Sequence, residues 1–94
     1  IIDCPPSLDL LTINALAAAT DLLVPMQAKY FSLEGLGALM GTVERVRAAL
    51  NPSLRLEGIV FCMVDRRLNL TQQVFEEVRK HFPDAVYRVQ IPPN

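Results

Sequence analysis

The first eight residues, Ile1-Ile2-Asp3-Cys4-Pro5-Pro6-Ser7-Leu8, hold the side chain whose type and position best suit chemistry. A carboxylate at the carboxyl end of a buried strand in an α/β sheet faces the crevice where such folds bind ligands, and a hard cation with phosphate is the usual occupant. Asp3 is therefore the first candidate. Neither Pro5 nor Pro6 has an N–H, so between Cys4 and Ser7 only those two end residues can donate backbone hydrogen bonds to a phosphate oxygen or a water. The loop is stiff by composition. A second polar group, Asp65-Arg66-Arg67, follows the most apolar run of the chain. By residue type alone it reads as an exposed loop salt bridge of little energetic weight. Cys4 and Cys62 show no CxxC or Cys/His spacing and read as buried, reduced thiols. His81, the chain's one histidine, reads as a solvated or dipole-stabilised side chain near a helix C-terminus.

Elements must position these groups. With 94 residues, 51% of them apolar, the chain suffices for one small domain and its core, and no second domain fits. The longest apolar run, 10 to 19, is interrupted by Thr12 and Asn14 and is too short to span a bilayer, while the first residues lack the charged start of a signal peptide. The chain thus reads as soluble and cytoplasmic. Net charge is −1, but residues 1 to 44 carry one basic and five acidic side chains against eight basic and five acidic in residues 45 to 94. The basic half favours a polyanion weakly; mixed charge that simply solvates a surface explains the same composition.

Periodicity places a helix at about 8 to 19, capped by Ser7, and a short buried strand at 22 to 26 whose ladder Pro25 interrupts. Ser32 precedes a helix of about 32 to 50, ended by Asn51-Pro52, in which Gly35, Gly37 and Gly41 suggest close packing against another backbone. Residues 56 to 64 form a continuous apolar run that reads as the sheet centre, with a strand at about 57 to 63. Leu70, Thr71 and Phe75 fit the N′, N-cap and N4 positions of a helix running to Pro83, and 86 to 91 alternates as a strand with one wetter face. With a strand at 1 to 4, the order is β-α-β-α-β-α-β, which argues an α/β fold with a parallel sheet and right-handed crossovers.

Several ordered strings carry a resemblance. D-C-P-P-S-L at 3 to 8, V-P-M-Q at 24 to 27, S-L-E-G-L at 32 to 36, N-P-S-L at 51 to 54, M-V-D-R-R at 63 to 67 and I-P-P-N at 91 to 94 together resemble the ParA branch of the ParA/Soj/MinD class of deviant Walker ATPases. The resemblance implies a P-loop NTPase three-layer fold, with Ile1 onwards as the Walker B strand and switch II. It implies that residues 1–94 are the C-terminal portion of a single ATPase domain, since the family's K-G-G-x-G-K-[ST] loop is not among them. Asp3 would then hold a water of the Mg²⁺ shell, Cys4 and Pro5 would lie by the γ-phosphate of ATP, and Pro6 and Ser7 would relay its state to the next helix. Arg66 and Arg67 would contribute to nonspecific DNA binding by an ATP-bound homodimer, with Arg79, Lys80 and Arg88 extending the patch. Pro92, Pro93 and Asn94 match the I-P-R-N turn, whose continuation packs on adenine, with Pro93 standing where the family carries Arg.

What the resemblance implies is an ATP hydrolase of chromosome or plasmid partition, cytoplasmic and nucleoid-associated, working with a ParB-type partner and no membrane. The 94-residue chain alone is expected to be inactive. Two other readings stay open: a MinD-like membrane-associated relative, which would carry a basic amphipathic C-terminal helix, and a non-catalytic α/β interaction or regulatory module that keeps the sheet without nucleotide binding.

Overall fold

A computed structural model describes every residue except Pro6, Leu8, Phe31, Arg66, Pro93 and Asn94. The elements run α1 (Leu10–Ala18), β1 (Asp21–Met26), a 3₁₀ turn (Ala28–Tyr30), α2 (Leu33–Ala49), β2 (Arg55–Phe61), α3 (Asn69–His81) and β3 (Val86–Gln90). The strands form one sheet in the order β1-β2-β3, and β2 pairs with β3 in parallel. At the start of β2, Arg55 N donates to Thr20 O; beyond its end, Cys62 N donates to Met26 O. Both strands therefore ascend together, giving the expected parallel α/β sheet. The chain divides into two compact units, 1–22 with 34–56 and 23–33 with 57–94.

In the first unit, α1 begins two residues later than its apolar periodicity suggests. Asp9, not Ser7, is the N-cap: its Oδ1 accepts from Thr12 N at 3.2 Å. Ser7 instead donates its hydroxyl to Asp9 Oδ2 at 3.2 Å, and its carbonyl accepts from Thr12 Oγ1 at 2.6 Å. Leu16, Val43, Val46 and Leu54 are buried together, with Ile13, Ala19, Leu22 and Leu39 against them. Asn51 does more than end α2. Its amide donates to Leu16 O at 3.0 Å and Ala19 O at 2.6 Å, satisfying carbonyls that the end of α1 leaves without helical partners. Gly37 and Gly41 have no atom within 4 Å of where a Cβ would stand, so the close backbone packing expected at the α2 glycines does not form there.

One expected strand is absent. Residues 1 to 5 take no strand structure, and Ile1 and Ile2 are exposed. Strand conformation is held by a ladder neighbour, and among the described residues β2 has both edges occupied while no inter-strand backbone bond reaches 1 to 5.

In the second unit, Ile59, Phe61, Val64, Val74 and Val78 are buried, and the Phe61 and Phe75 rings meet at 5.5 Å and 55°. Ile59 is opposite Val86 and Phe61 opposite Gln90, so β3 has extra residues between these pairs, a bulge. Val86 and Gln90 are half-buried, while Tyr87, Val89 and Ile91 are exposed, Val89 at 73%, so the apolar side of the alternation is the more exposed one. Gly58 lies under Tyr87: a Cβ there would stand 2.8 Å from the ring's Cζ and 3.0 Å from Ala85 O.

Candidate functional site

The carboxyl edge of the sheet is built by a reversal at Met63, which follows β2 with φ of 55°. Left-handed backbone at a non-glycine residue turns the chain within one residue. Beyond it, Val64 N donates to Ile91 O at 2.9 Å while Ile91 N donates to Phe61 O at 2.9 Å. Two segments distant in sequence, the Asp65–Arg67 loop and the Ile91-Pro92 end, are thereby fastened together at the carboxyl ends of β2 and β3. That edge is where open α/β sheets bind ligands.

The loop itself is a fork. Arg67 Nε donates to Asp65 Oδ1 and Arg67 Nη2 to Oδ2, both at 3.0 Å, while Arg67 N donates to Oδ1 at 3.1 Å. The hydrogen bond from the Arg67 side chain, then that from its backbone, hold the Asp65 carboxyl below its usual range, and the carboxylate in turn raises the Arg67 guanidinium. The Arg67 side chain is 89% exposed against 30% for Asp65, so the cation is the member offered to solvent. Among the described residues its Nε and Nη2 donors are engaged and the Nη1 edge remains for an external acceptor. Thr71 holds the loop from below: it does not cap α3, which starts at Asn69 after Leu68, and its buried hydroxyl donates to Asp65 O at 3.0 Å.

Asp3, Cys4, Pro5 and Ser7 lie in the other compact unit, ahead of α1. All four are exposed, and the Cys4 thiol is not buried as its apolar neighbours suggest; Cys62 is half-buried. Asp9, capping α1, has its carboxyl lowered chiefly by the Thr12 backbone hydrogen bond. Ser7 is bonded to both Asp9 and Thr12, which makes a direct path from the D-C-P-P-S loop into α1. Pro6, Arg66, Pro93 and Asn94 lie outside the described residues. Among the described residues no cluster of three or more His, Cys, Asp or Glu could hold a metal. Asp3, a single exposed carboxylate, suits contact with a metal's water shell. Among the described residues no helix is long and apolar enough to cross a membrane.

A parallel α/β sheet with its polar loops at the carboxyl edge is the frame of nucleotide-binding proteins, and the comparisons narrow it. The AAA domain family matches residues 1–56, and the chain belongs to that family. Within it the sequence is 54% identical over all 94 residues to the chromosome partitioning protein ParA of Caulobacter vibrioides, and 52% identical over the same length to the chromosome-partitioning ATPase Soj of Thermus thermophilus. It spans 35% and 38% of those two proteins. The cobyrinic acid a,c-diamide synthase of Mycobacterium smegmatis, solved with bound ADP and magnesium, superposes with a TM-score of 0.87 at 35% identity, over 98% of this chain and 37% of that one. The ParA/Soj resemblance thus extends along the whole chain. The structural likeness to an enzyme with another named reaction shows how one scaffold serves different chemistries.

Proposed function

We propose that this chain is the part of a ParA-type partition ATPase that begins at the Walker B segment, in a protein that hydrolyses ATP, dimerises when ATP is bound and holds DNA without sequence preference. The observation that carries this reading is the unbroken 54% identity over all 94 residues to a chromosome partitioning ParA. In this reading Asp3 holds a water of the Mg²⁺ shell, and the ion supplies charge neutralisation at the transferring phosphoryl group. Cys4 and Pro5 lie beside the γ-phosphate, and Pro6 and Ser7 relay its state to the next helix. Ser7 does so through Asp9 and Thr12 at the start of α1. Pro92, Pro93 and Asn94 stand where the family has its I-P-R-N motif, whose continuation packs on adenine. A ParB-type partner, a nucleoid location and the partition of a chromosome or plasmid belong to the same proposal.

Arg66 and Arg67 are assigned to DNA. The fork supports this for Arg67, because Asp65 fixes the guanidinium in one orientation while leaving it exposed. The experiment compares Asp3→Ala and Arg67→Ala in the protein that carries this chain together with its P-loop. Asp3→Ala is expected to abolish ATP turnover. Arg67→Ala is expected to leave turnover intact and to reduce the log-affinity against log-salt slope for duplex DNA by about 1, since each lost phosphate contact releases about one counterion fewer. Identical salt slopes, or turnover lost equally in both variants, would overturn the DNA assignment.

A further inference from the structure

Asn51 is the point at which three elements of the first compact unit meet. Its side-chain amide donates to Leu16 O at 3.0 Å and to Ala19 O at 2.6 Å, its backbone N–H donates to Val46 O at 2.8 Å, and its carbonyl accepts from Leu54 N at 3.2 Å. One residue thereby joins the end of α1, the last turn of α2 and the approach to β2. An amide has two N–H donors, and here both go to carbonyls of one helix end, which fixes that end in direction as well as in place. The buried cluster grips the helix over the same stretch: Leu16 lies in it with Val43, Val46 and Leu54, and Ile13 and Ala19 pack against it. The first turn of α1 is held differently. Leu10 and Leu11 are each 71% exposed, and Thr12 ties that turn to the segment before it, donating from Oγ1 to Ser7 O and from N to Asp9 Oδ1.

The helix is anchored at one end and bonded to the D-C-P-P-S loop at the other. Its nine residues span about 13.5 Å at about 1.5 Å each, so a rotation of roughly 5° about the Asn51 end carries the loop end through about 1 Å. A misplacement of about 1 Å at a reacting centre can cost on the order of 100-fold in rate. We propose that Asn51 is a positioning residue for the D-C-P-P-S loop: it sets the pivot of α1 and, through the Thr12 hydroxyl and Ser7, fixes where the loop that carries Asp3 stands. The consequence for ATP turnover rests on the partition-ATPase reading above; the coupling of Asn51 to the loop does not.

The test has two arms. In the first, amide resonances of the ¹⁵N-labelled 94-residue chain are compared between wild type and Asn51→Ala. The Cys4 and Ser7 amides are expected to move while those of α3 hold. Asn51→Ser, which retains one donor, is the milder variant and is expected to move the same resonances less. In a Thr12→Val background, which loses the bond to Ser7 O and keeps Thr12 N as the capped group, adding Asn51→Ala is expected to leave the loop amides where they are. In a Thr12→Ser background, which keeps the hydroxyl, the response should return. The second arm measures turnover in the protein that carries this chain together with its P-loop. Asn51→Ala and Thr12→Val are each expected to lower kcat roughly tenfold, short of the full cost of a 1 Å misplacement, with KM for ATP unchanged and kcat restored in Thr12→Ser. The double variant should be no slower than the slower single one, because both substitutions release the same helix, whereas stability losses at sites about 10 Å apart add. Cys4 and Ser7 amides unmoved by either Asn51 substitution, or moved equally with and without the Thr12 hydroxyl, would overturn the pivot, as would kcat losses that multiply. Loop shifts of the expected pattern in a protein whose turnover survives Asp3→Ala would keep the pivot and remove the ATPase reading.

Discussion

Asp65 and Arg67 show how two residues separated by one position fix a geometry neither holds alone. A free surface arginine samples many rotamers, and ordering it for an external phosphate costs side-chain entropy. The bidentate grip of Asp65 makes that expenditure in advance, so Arg67 meets an acceptor already oriented. The same grip makes the loop respond to acid. Because Arg67 lowers the folded-state Asp65 carboxyl below its unfolded value, the fork contributes stability above the unfolded carboxyl range and loses it as pH falls through the folded value. The Arg67 Nε–H resonance is therefore expected to hold steady from neutral pH to about pH 4 and to move only below that. In Arg67→Ala the Asp65 titration should return to the ordinary aspartate value of about 3.9. A wild-type midpoint at or above that value would show that the fork does not persist in solution. Sequence alone left this pair undecided between a salt bridge and a phosphate contact. The structure makes the two compatible, since the bonded edge of the guanidinium and the exposed edge are different atoms.

At the scale of elements, the positions that decide how β2 meets β3 are Gly58, opposite the start of β3, and Met63, at the carboxyl edge, and neither stands out in the sequence. Three glycines in α2 drew attention through their helix propensity, yet Gly37 and Gly41 face open space. Gly58, inside the central strand, is by contrast pressed by a neighbour. Gly58→Ala would drive a methyl group into the Tyr87 ring and the Ala85 carbonyl, and is expected to destabilise by about 1–3 kcal/mol, the usual range for overpacking. Tyr87→Ala added to Gly58→Ala should recover part of that loss by removing the ring, although Ala85 O stays close; denaturant midpoints of the four proteins in this cycle measure it. Additive losses would mean that the ring yields freely. Met63 is the complementary case: its left-handed backbone is what brings Val64 N to Ile91 O. A β-branched side chain resists that conformation, so Met63→Val is expected to cost about 1–3 kcal/mol, whereas Met63→Gly should be tolerated. Equal midpoints for the two variants would refute the strain argument. The helices and the three observed strands were legible because their apolar periodicity is local. The boundaries at Asp9 and Asn69, the bulge in β3 and the contact on Gly58 were not, because each depends on a partner elsewhere in the chain.

For the molecule as a whole, the same distinction separates what is legible from what is not. The strings D-C-P-P-S-L and M-V-D-R-R are local and identify the family from the sequence, and the match along all 94 residues agrees with them. The strand expected at 1 to 4 is non-local: Ile1 and Ile2 have the apolar character of a buried strand, but they are exposed and take no ladder bond among the described residues. Phosphate binding by this family's frame is likewise divided among segments. Asp3 can hold one water of a Mg²⁺ shell, but a triphosphate is cradled by the backbone amides and lysine of a P-loop, and K-G-G-x-G-K-[ST] does not occur in these 94 residues. In the proposed reading, one water-mediated contact at Asp3 leaves most of the triphosphate's charge uncompensated. The 94-residue chain is therefore expected to show no ATP turnover and, in isothermal titration with ATP and Mg²⁺, no saturable heat at micromolar concentrations. Micromolar affinity for ATP that disappears in Asp3→Ala would show that the D-C-P-P-S loop binds nucleotide unaided, and the division of the site proposed here would be wrong.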